Sequence, residues 1–254
     1  GQLFVKDRAS TSSDPVNVTE SVIGDMGAVR DVEIAYDGST VLFAMRGPFD
    51  PNLADDEQPT WNLWEYAFED QSLRRIIPSD LTAEIGHDIM PKYLPDGRII
   101  FASTRQVRSR AILLDEGKSG FAAMDEDRNE EALNLHVINA DGSDIEQVTF
   151  NQSHDLDPAV LSNGQVVFAR WDHAPGNTDV HLYRMNPDGT GLELLYGSES
   201  HATGTDGEII QFTQPREVED GRILSLVRPF TATEGGGDIF AIDTPQYVED
   251  TQPL

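Results

Sequence analysis

Residues 86–103 have the sequence GHDIMPKYLPDGRIIFAS, and residues 153–170 repeat its pattern as SHDLDPAVLSNGQVVFAR. In both copies a proline follows a His-Asp pair, and an Asp-Gly or Asn-Gly pair then separates two apolar segments. Such a pair between apolar, β-branched segments is the strongest short-range signal for a β-hairpin, because a type I′ turn needs positive φ at both central residues. Each copy therefore predicts two antiparallel strands joined by a tight turn.

Two weaker copies of the hairpin extend the series. Asp37-Gly38 precedes the apolar segment 41–44, and Asp220-Gly221 precedes the segment 223–226. Each hairpin is followed by a further apolar segment, which predicts a third strand, and in two copies an Asp-Gly-Ser or Asp-Gly-Thr turn then leads to a fourth. The predicted third strands are 63–66, 135–138, 182–185 and 239–242, and the predicted fourth strands are 145–149 and 192–195.

Four antiparallel strands in a recurring unit predict an all-β fold, a β-propeller of four-stranded antiparallel blades. We expect residues 1–254 to form a single propeller domain of about four to five blades. Either the two ends share strands and close a small ring, or the chain belongs to a larger propeller of six or seven blades. The predicted units are a partial blade at 1–25, blades at about 27–77, 86–150 and 153–196, and a partial blade at 209–243.

Two long insertions interrupt the repeat. Residues 46–60 are rich in proline and aspartate and predict a surface loop, whereas residues 106–131 contain two apolar segments and predict a short helix or an added hairpin. Insertions of this length often shape the binding face of a fold.

The composition excludes several classes of partner and cofactor. The chain has 45 acidic and 18 basic residues, a formal net charge of -27, and no run of basic residues, so we expect neither nucleic acid nor an anionic membrane as a partner. It has no cysteine, which excludes disulfides, thiolate metal sites and the C-x-x-C-H attachment of a c-type haem. No stretch approaches the roughly 20 apolar residues of a membrane helix, so we expect no membrane insertion.

The repeat resembles a known family. The unit Pro-x-x-x-x-Asp-Gly-x-Ile-x-Phe-x-Ser at 91–103, with Asn-x-Asp-Gly-Ser at 139–143, is similar to the TolB-like propeller repeat of bacterial periplasmic proteins over about residues 27–243. Residues 153–158, 168–171 and 183–189 also resemble the propeller part of proteins related to the hydrazine synthase alpha subunit. This resemblance implies a periplasmic or extracellular bacterial protein, without the haem chemistry of that enzyme because the attachment motif is missing.

Alignment of the blades on the proline position gives the candidate site. Four residues before it stand Ala28, His87, His154 and Gln211, and His201 lies in the loop upstream of the last. Equivalent positions of successive blades surround the central channel, so His87, His154, His201 and Gln211 are the predicted metal ligands. Imidazole and amide ligands suit Mn, Fe, Zn or Ni, while Ca would instead use aspartates and backbone oxygens. The set is similar to the three-His-one-Gln manganese site of oligogalacturonate lyases, which are also TolB-like propellers.

Purely structural roles compete with this hypothesis. A histidine at the start of an inner strand could cap the hairpin or form hydrogen bonds across the channel. Arginines also recur near the end of the second strand, at Arg46, Arg105, Arg170 and Arg228, where they could pair with the blade aspartates or line a channel for an acidic ligand.

Two functional hypotheses follow. The first is a secreted or periplasmic propeller that acts as a binding or scaffold module for a protein or a glycan. The second is a metal-dependent lyase or hydrolase acting on carbohydrate, in which the metal would acidify the α-proton of a uronate. The sequence identifies no catalytic residue.

Overall fold

The computed structural model of the chain describes residues 1–6, 12–54, 57–124, 128, 131–174, 177–232 and 236–243. Its strands form antiparallel sheets that are consecutive along the chain, which confirms the predicted β-propeller. Three blades have four described strands and the fourth has three.

Blade 1 contains β3 (Ala28–Ile34), β4 (Thr40–Arg46), β5 (Asn62–Ala67) and β6 (Leu73–Arg75). Blade 2 contains β7 (Asp88–Tyr93), β8 (Ile99–Ser103), β9 (Asn134–Ile138) and β10 (Glu146–Gln147). Blade 3 contains β11 (Asp155–Val160), β12 (Val166–Ala174), β13 (Asn177–Met185) and β14 (Glu193–Tyr196), and blade 4 contains β15 (Ile210–Glu217), β16 (Ile223–Pro229) and β17 (Asp238–Ile242).

The remaining elements are short. Strands β1 (Phe4–Val5) and β2 (Val16–Asn17) pair with each other in a two-stranded sheet that packs on blade 1. The described helices are α1 (Glu20–Ile23), α2 (Asp80–Ala83) and α3 (Val107–Asp115), and a 3₁₀ turn covers Thr205–Gly207. Helix α3 lies in the second insertion. A short helix or an added hairpin was predicted for that insertion, and the helix is present.

The hairpins form as predicted, but the predicted turn type is wrong. In each Asx-Gly pair only the glycine has positive φ, for example 88° at Gly97, whose N–H donates to the Leu94 carbonyl at 3.0 Å. The Asp96 carboxylate instead accepts the N–H of Arg98 at 3.0 Å. This is the three-residue connection in which a type I turn is followed by a left-handed glycine, not a type I′ turn.

The first strand of each blade is the innermost. Each has a β-bulge with one non-glycine residue at positive φ: Asp31, Met90, Asp157 and Gln214. The N–H of Met90 donates to Asp31 Oδ2 (3.0 Å), the N–H of Asp157 to Met90 Sδ (3.2 Å), and the N–H of Gln214 to Asp157 Oδ2 (3.1 Å). The same bulge position therefore joins four consecutive inner strands around the centre.

The hydrophobic core lies between successive blades. The second strands of blades 1, 2 and 3 are buried on both faces in their central parts, where Phe43, Phe101 and Phe168 are each fully buried at the same place. Phe212 of β15 and Tyr196 of β14 pack edge to face between blades 3 and 4, with ring centroids 5.2 Å apart. Each blade thus depends on its neighbours for burial of its apolar side chains.

Strand direction separates two rims. The Asx-Gly hairpins lie on one rim, and the inner strands begin on the opposite rim, which we call the entry rim. Both insertions connect the end of a second strand to the start of a third strand, which places them on the entry rim. The starts of β7, β11 and β15, with His87, His154 and Gln211 beside or within them, lie on the same rim.

Candidate metal centre

Buried ion pairs hold the inner strands at the entry rim. Arg105 pairs with Asp88, and Arg170 Nε lies 2.8 Å from Asp155 Oδ1, while both aspartates are completely buried. These contacts confirm the predicted pairing for Arg105 and Arg170. Burial raises the pKa of Asp88 to about 6, although Arg105 and Ser103 act in the opposite direction.

The two His-Asp pairs of the repeat join neighbouring blades. His87 Nδ1 accepts the N–H of Trp61 at 3.2 Å, and the Asp88 N–H donates to the Trp61 carbonyl at 2.8 Å. In the next blade His154 Nδ1 accepts the N–H of Leu133 at 3.1 Å, and the N–H of Asp155 donates to the carbonyl of that leucine at 2.7 Å. Each His-Asp pair therefore forms two hydrogen bonds with the backbone of the residue that directly precedes the third strand of the preceding blade.

The other predicted ligands lie in different surroundings. Gln211 Nε2 donates to the carbonyls of Pro229 and Phe230, at 3.1 and 3.3 Å. Among the described residues, a converging group of three or more His, Asp or Glu side chains includes His201 but neither His87 nor His154. The structure thus brings His201 together with residues that were not predicted as ligands. The predicted ligand set of His87, His154, His201 and Gln211 stays a prediction.

The group consists of Asp179, His181 and His201. Asp179 and His181 are two residues apart in β13 and share one face of the strand. They are 3% and 4% exposed, whereas His201, in the loop between β14 and β15, is only partly buried. One potential ligand atom from each of the three lies within 4.8 Å of the other two.

Hydrogen bonds set the tautomers of both imidazoles. His201 Nδ1 lies 2.7 Å from the Ser198 carbonyl, which can only accept, so Nδ1 carries the proton and Nε2 keeps its lone pair. His181 Nδ1 lies 3.3 Å from Asp172 Oδ2, and the same argument assigns the lone pair to its Nε2. Both Nε2 atoms are therefore suited to bind a cation.

Asp172 is itself fixed in place. It accepts the hydroxyl of Tyr183 at 2.7 Å in addition to the His181 ring nitrogen. Burial acts to raise the pKa of Asp172, but the hydrogen bonds from His181 and Tyr183 outweigh it and lower that pKa overall. An ionised carboxylate behind an imidazole is the arrangement that orients histidine ligands in metal sites.

Two polar atoms of the group lack a partner. Asp179 Oδ2 and His181 Nε2 are buried and make no hydrogen bond within the described part of the chain. A buried polar group left unpaired costs roughly 1–3 kcal/mol, and more when it is charged. These two atoms therefore favour a bound group that interacts with both.

Comparison between blades shows what is particular to the third. Asn62 and Asn134 stand directly before the leucine of the third strands of blades 1 and 2, and the strand register places His181 at this position in blade 3. The Oδ1 atoms of both asparagines also lack a partner, as His181 Nε2 does, so an unpaired polar atom at this position recurs in the repeat. His136 is likewise buried, which lowers its pKa to about 3. Blade 3 differs because the imidazole of His181 replaces the amide, and Asp179 and His201 lie beside it.

Gly197 allows His201 to reach the group. Its φ is +120°, and a Cβ at this position would lie 3.0 Å from His181 Cδ2 and 3.0 Å from Phe212 Cδ2. The chain leaving β14 therefore passes directly against the His181 ring before it turns to present His201.

One carboxylate oxygen and two imidazole nitrogens suit Zn, Mn, Fe or Ni. Around a tetrahedral ion with bonds of about 2.1 Å the ligand atoms lie roughly 3.4 Å apart, so the group would contract on binding. Ca is a poor match because it prefers oxygen ligands.

Comparison with solved structures agrees with the architecture. The chain matches hydrazine synthase of Kuenenia stuttgartiensis with a TM-score of 0.66 and 18% identity, over 92% of this chain and 33% of that chain. Its fold is that of a β-propeller. At this identity the likeness shows the fold alone, and this propeller spans about a third of the length of that chain.

The propeller also matches a putative TolB from Agrobacterium tumefaciens, with a TM-score of 0.48 and 18% identity over 76% of this chain and 60% of that chain. TolB from Acinetobacter baumannii matches with a TM-score of 0.48 and 10% identity, over 94% and 50% of the two chains. No family model and no curated protein matches the sequence. In the described residues no helix is long and apolar enough to cross a membrane.

Proposed function

We propose that the chain is a metal-binding propeller module in which Asp179, His181 and His201 hold a divalent transition-metal ion between blades 3 and 4. The observation that carries this proposal is the convergence, within 4.8 Å, of one carboxylate and two imidazoles. An ion at their centre would interact with both atoms that lack a hydrogen-bond partner.

The surroundings support a role of the entry rim in ligand binding. Both insertions lie on this rim, and long insertions commonly form binding faces. Helix α3 has no buried residue and exposes Val107, Ile112 and Leu114 to solvent. We therefore propose that the module binds a protein or a glycan at this rim, and that it does so in the periplasm or outside the cell, as the TolB-like repeat implies.

Metal analysis and calorimetry test the proposal. Purified wild-type protein should bind one equivalent of Zn²⁺ or Mn²⁺ after removal of adventitious metal. Asp179→Asn, which replaces the carboxylate with a neutral amide of the same size, should abolish the binding while the fold is retained. Glu208→Gln is the matched control, because it removes one exposed charge from the loop that carries His201. No stoichiometric metal in the wild type, or equal binding by Asp179→Asn, would contradict the proposal.

A metal-dependent lyase or hydrolase acting on carbohydrate is the second candidate. The observation that favours it is the number of protein ligands, since catalytic metal sites usually have three and structural sites four. Turnover of polyuronates, measured by the absorbance of the unsaturated product or by reducing ends, should then require metal and be lost in His181→Gln.

A further inference from the structure

We infer that the metal centre has an open coordination position that binds a carboxylate from outside the protein. This inference rests on the metal site proposed above. It adds the class of ligand that the ion would take and the direction from which that ligand would reach it.

The number of donors gives the first argument. The described part of the chain brings three His, Asp or Glu side chains to this place and no fourth. Zn, Mn, Fe and Ni ions in proteins bind at least four ligands, and such an ion held by three protein side chains completes its shell with water or a substrate. At least one position would therefore belong to a ligand that the protein does not supply.

Burial gives the direction of that position. Asp179 and His181 are 3% and 4% exposed, and they close the site on the side of the sheet. His201 is only partly buried and follows a surface loop whose later residues Asp206 and Glu208 are exposed. Solvent thus reaches the ion past His201, on the entry rim where both insertions lie.

Charge gives the class of ligand. A divalent ion bound by one carboxylate and two neutral imidazoles leaves a local charge of about +1, which favours an anionic oxygen ligand. The chain as a whole carries -27, which repels anions at long range, but mobile ions screen that field beyond about 8 Å at physiological ionic strength. Direct coordination acts at bonding distance, so the local charge dominates once the ligand arrives.

The Asp172 carboxylate does not occupy the open coordination position. Its carboxylate is already engaged by His181 and Tyr183 and is 31% exposed. It orients the ring and does not supply a further bond to the ion, because its Oδ2 atom faces Nδ1 of His181, on the opposite side of the ring from Nε2. The positive centre is therefore not neutralised by a second coordinating carboxylate from the described residues.

Cobalt spectroscopy tests the inference on the intact chain. Co²⁺-loaded protein is titrated with acetate, galacturonate and galactose, and the visible d–d spectrum reports the ligands of the ion. We expect acetate and galacturonate to change the spectrum with saturation and galactose to bind at least about tenfold more weakly, a difference of about 1.4 kcal/mol. A tighter response to galacturonate than to acetate would indicate a sugar acid, and equal responses would indicate the carboxylate alone.

The outcomes separate this inference from the proposed function. Failure to bind Co²⁺ would overturn both. Binding of Co²⁺ with a spectrum that neither acid changes would overturn the open position only. A response to galactose as strong as that to galacturonate would overturn the selection of carboxylates. Glu208→Gln should respond as the wild type does, which controls for a general change in charge near the loop.

Discussion

Replacement of Asp179 by asparagine should have opposite effects on stability with and without metal. The substitution replaces the carboxylate with a neutral amide of the same size and shape. In the metal-free wild type, Asp179 Oδ2 is buried and has no partner within the described residues. The metal-free fold therefore bears the cost of a buried polar group that has no partner.

The magnitudes follow from the two states. Without metal, removal of the unpaired carboxylate should raise the free energy of unfolding by roughly 1–3 kcal/mol. For a chain of this size each kcal/mol corresponds to a shift in Tm of about 2–4 °C. With metal at 100 times its Kd the wild type gains about 2.7 kcal/mol, whereas a variant that does not bind gains nothing. The wild type should thus be the less stable protein in chelator and the more stable or equal one in metal.

Thermal unfolding followed by near-ultraviolet circular dichroism measures both states. Wild type, Asp179→Asn and the control Glu208→Gln are compared in EDTA and in Zn²⁺. The control should follow the wild type under both conditions. The reasoning is refuted if Asp179→Asn is destabilised in EDTA by more than 1 kcal/mol, or if Zn²⁺ raises the Tm of this variant as much as it raises that of the wild type.

Three further predictions concern the supports of the site. Asp172→Asn should raise the Kd for metal by about 10- to 100-fold because His181 loses the carboxylate that orients it, and an unchanged Kd in competition calorimetry would contradict this role. Gly197→Ala should cost roughly 1–3 kcal/mol, because an added Cβ meets the His181 ring at 3.0 Å with φ at +120°, and urea denaturation that matches the wild type would count against it. Burial raises the pKa of Asp88 from 3.8 to about 6, so the folded state retains a proton that the unfolded chain has released between these values, and this contribution to stability is lost as the pH rises. Urea denaturation from about pH 4 to 7 should show the wild type losing stability relative to Asp88→Asn, and a gain would show the opposite sign of the shift.

Local sequence signals were sufficient for the architecture. Each Asx-Gly pair lies in a hairpin, because a tight turn between two apolar strands needs a residue at positive φ and glycine adopts this conformation without steric cost. The turn type was wrong since aspartate tolerates both the left-handed region and the third position of a type I turn, and only the structure shows that Asp96 and its equivalents take the latter. The bulge that links the inner strands was not predicted, because Met90 and Gln214 give no sign of positive φ.

The site depended on contacts that no local pattern contains. The alignment that selected His87 and His154 compared equivalent positions, and the structure places both against the backbone of the preceding blade. Asp179 and His181 were missed because they precede the apolar segment 182–185 that was predicted as the third strand, whereas the strand begins at Asn177. A comparison of the residues directly before the leucine of each third strand would have shown His181 where blades 1 and 2 have Asn62 and Asn134. The position of His201 beside these residues could not have been predicted in this way, because it depends on the path of the loop after Gly197.

X-ray diffraction from crystals soaked in Zn²⁺, recorded above the zinc absorption edge, tests the metal centre most directly. The account predicts an anomalous peak about 2.1 Å from a carboxylate oxygen of Asp179 and from the Nε2 atoms of His181 and His201. A peak bound instead by His87, His154 and Gln211, or no peak between blades 3 and 4, would contradict it.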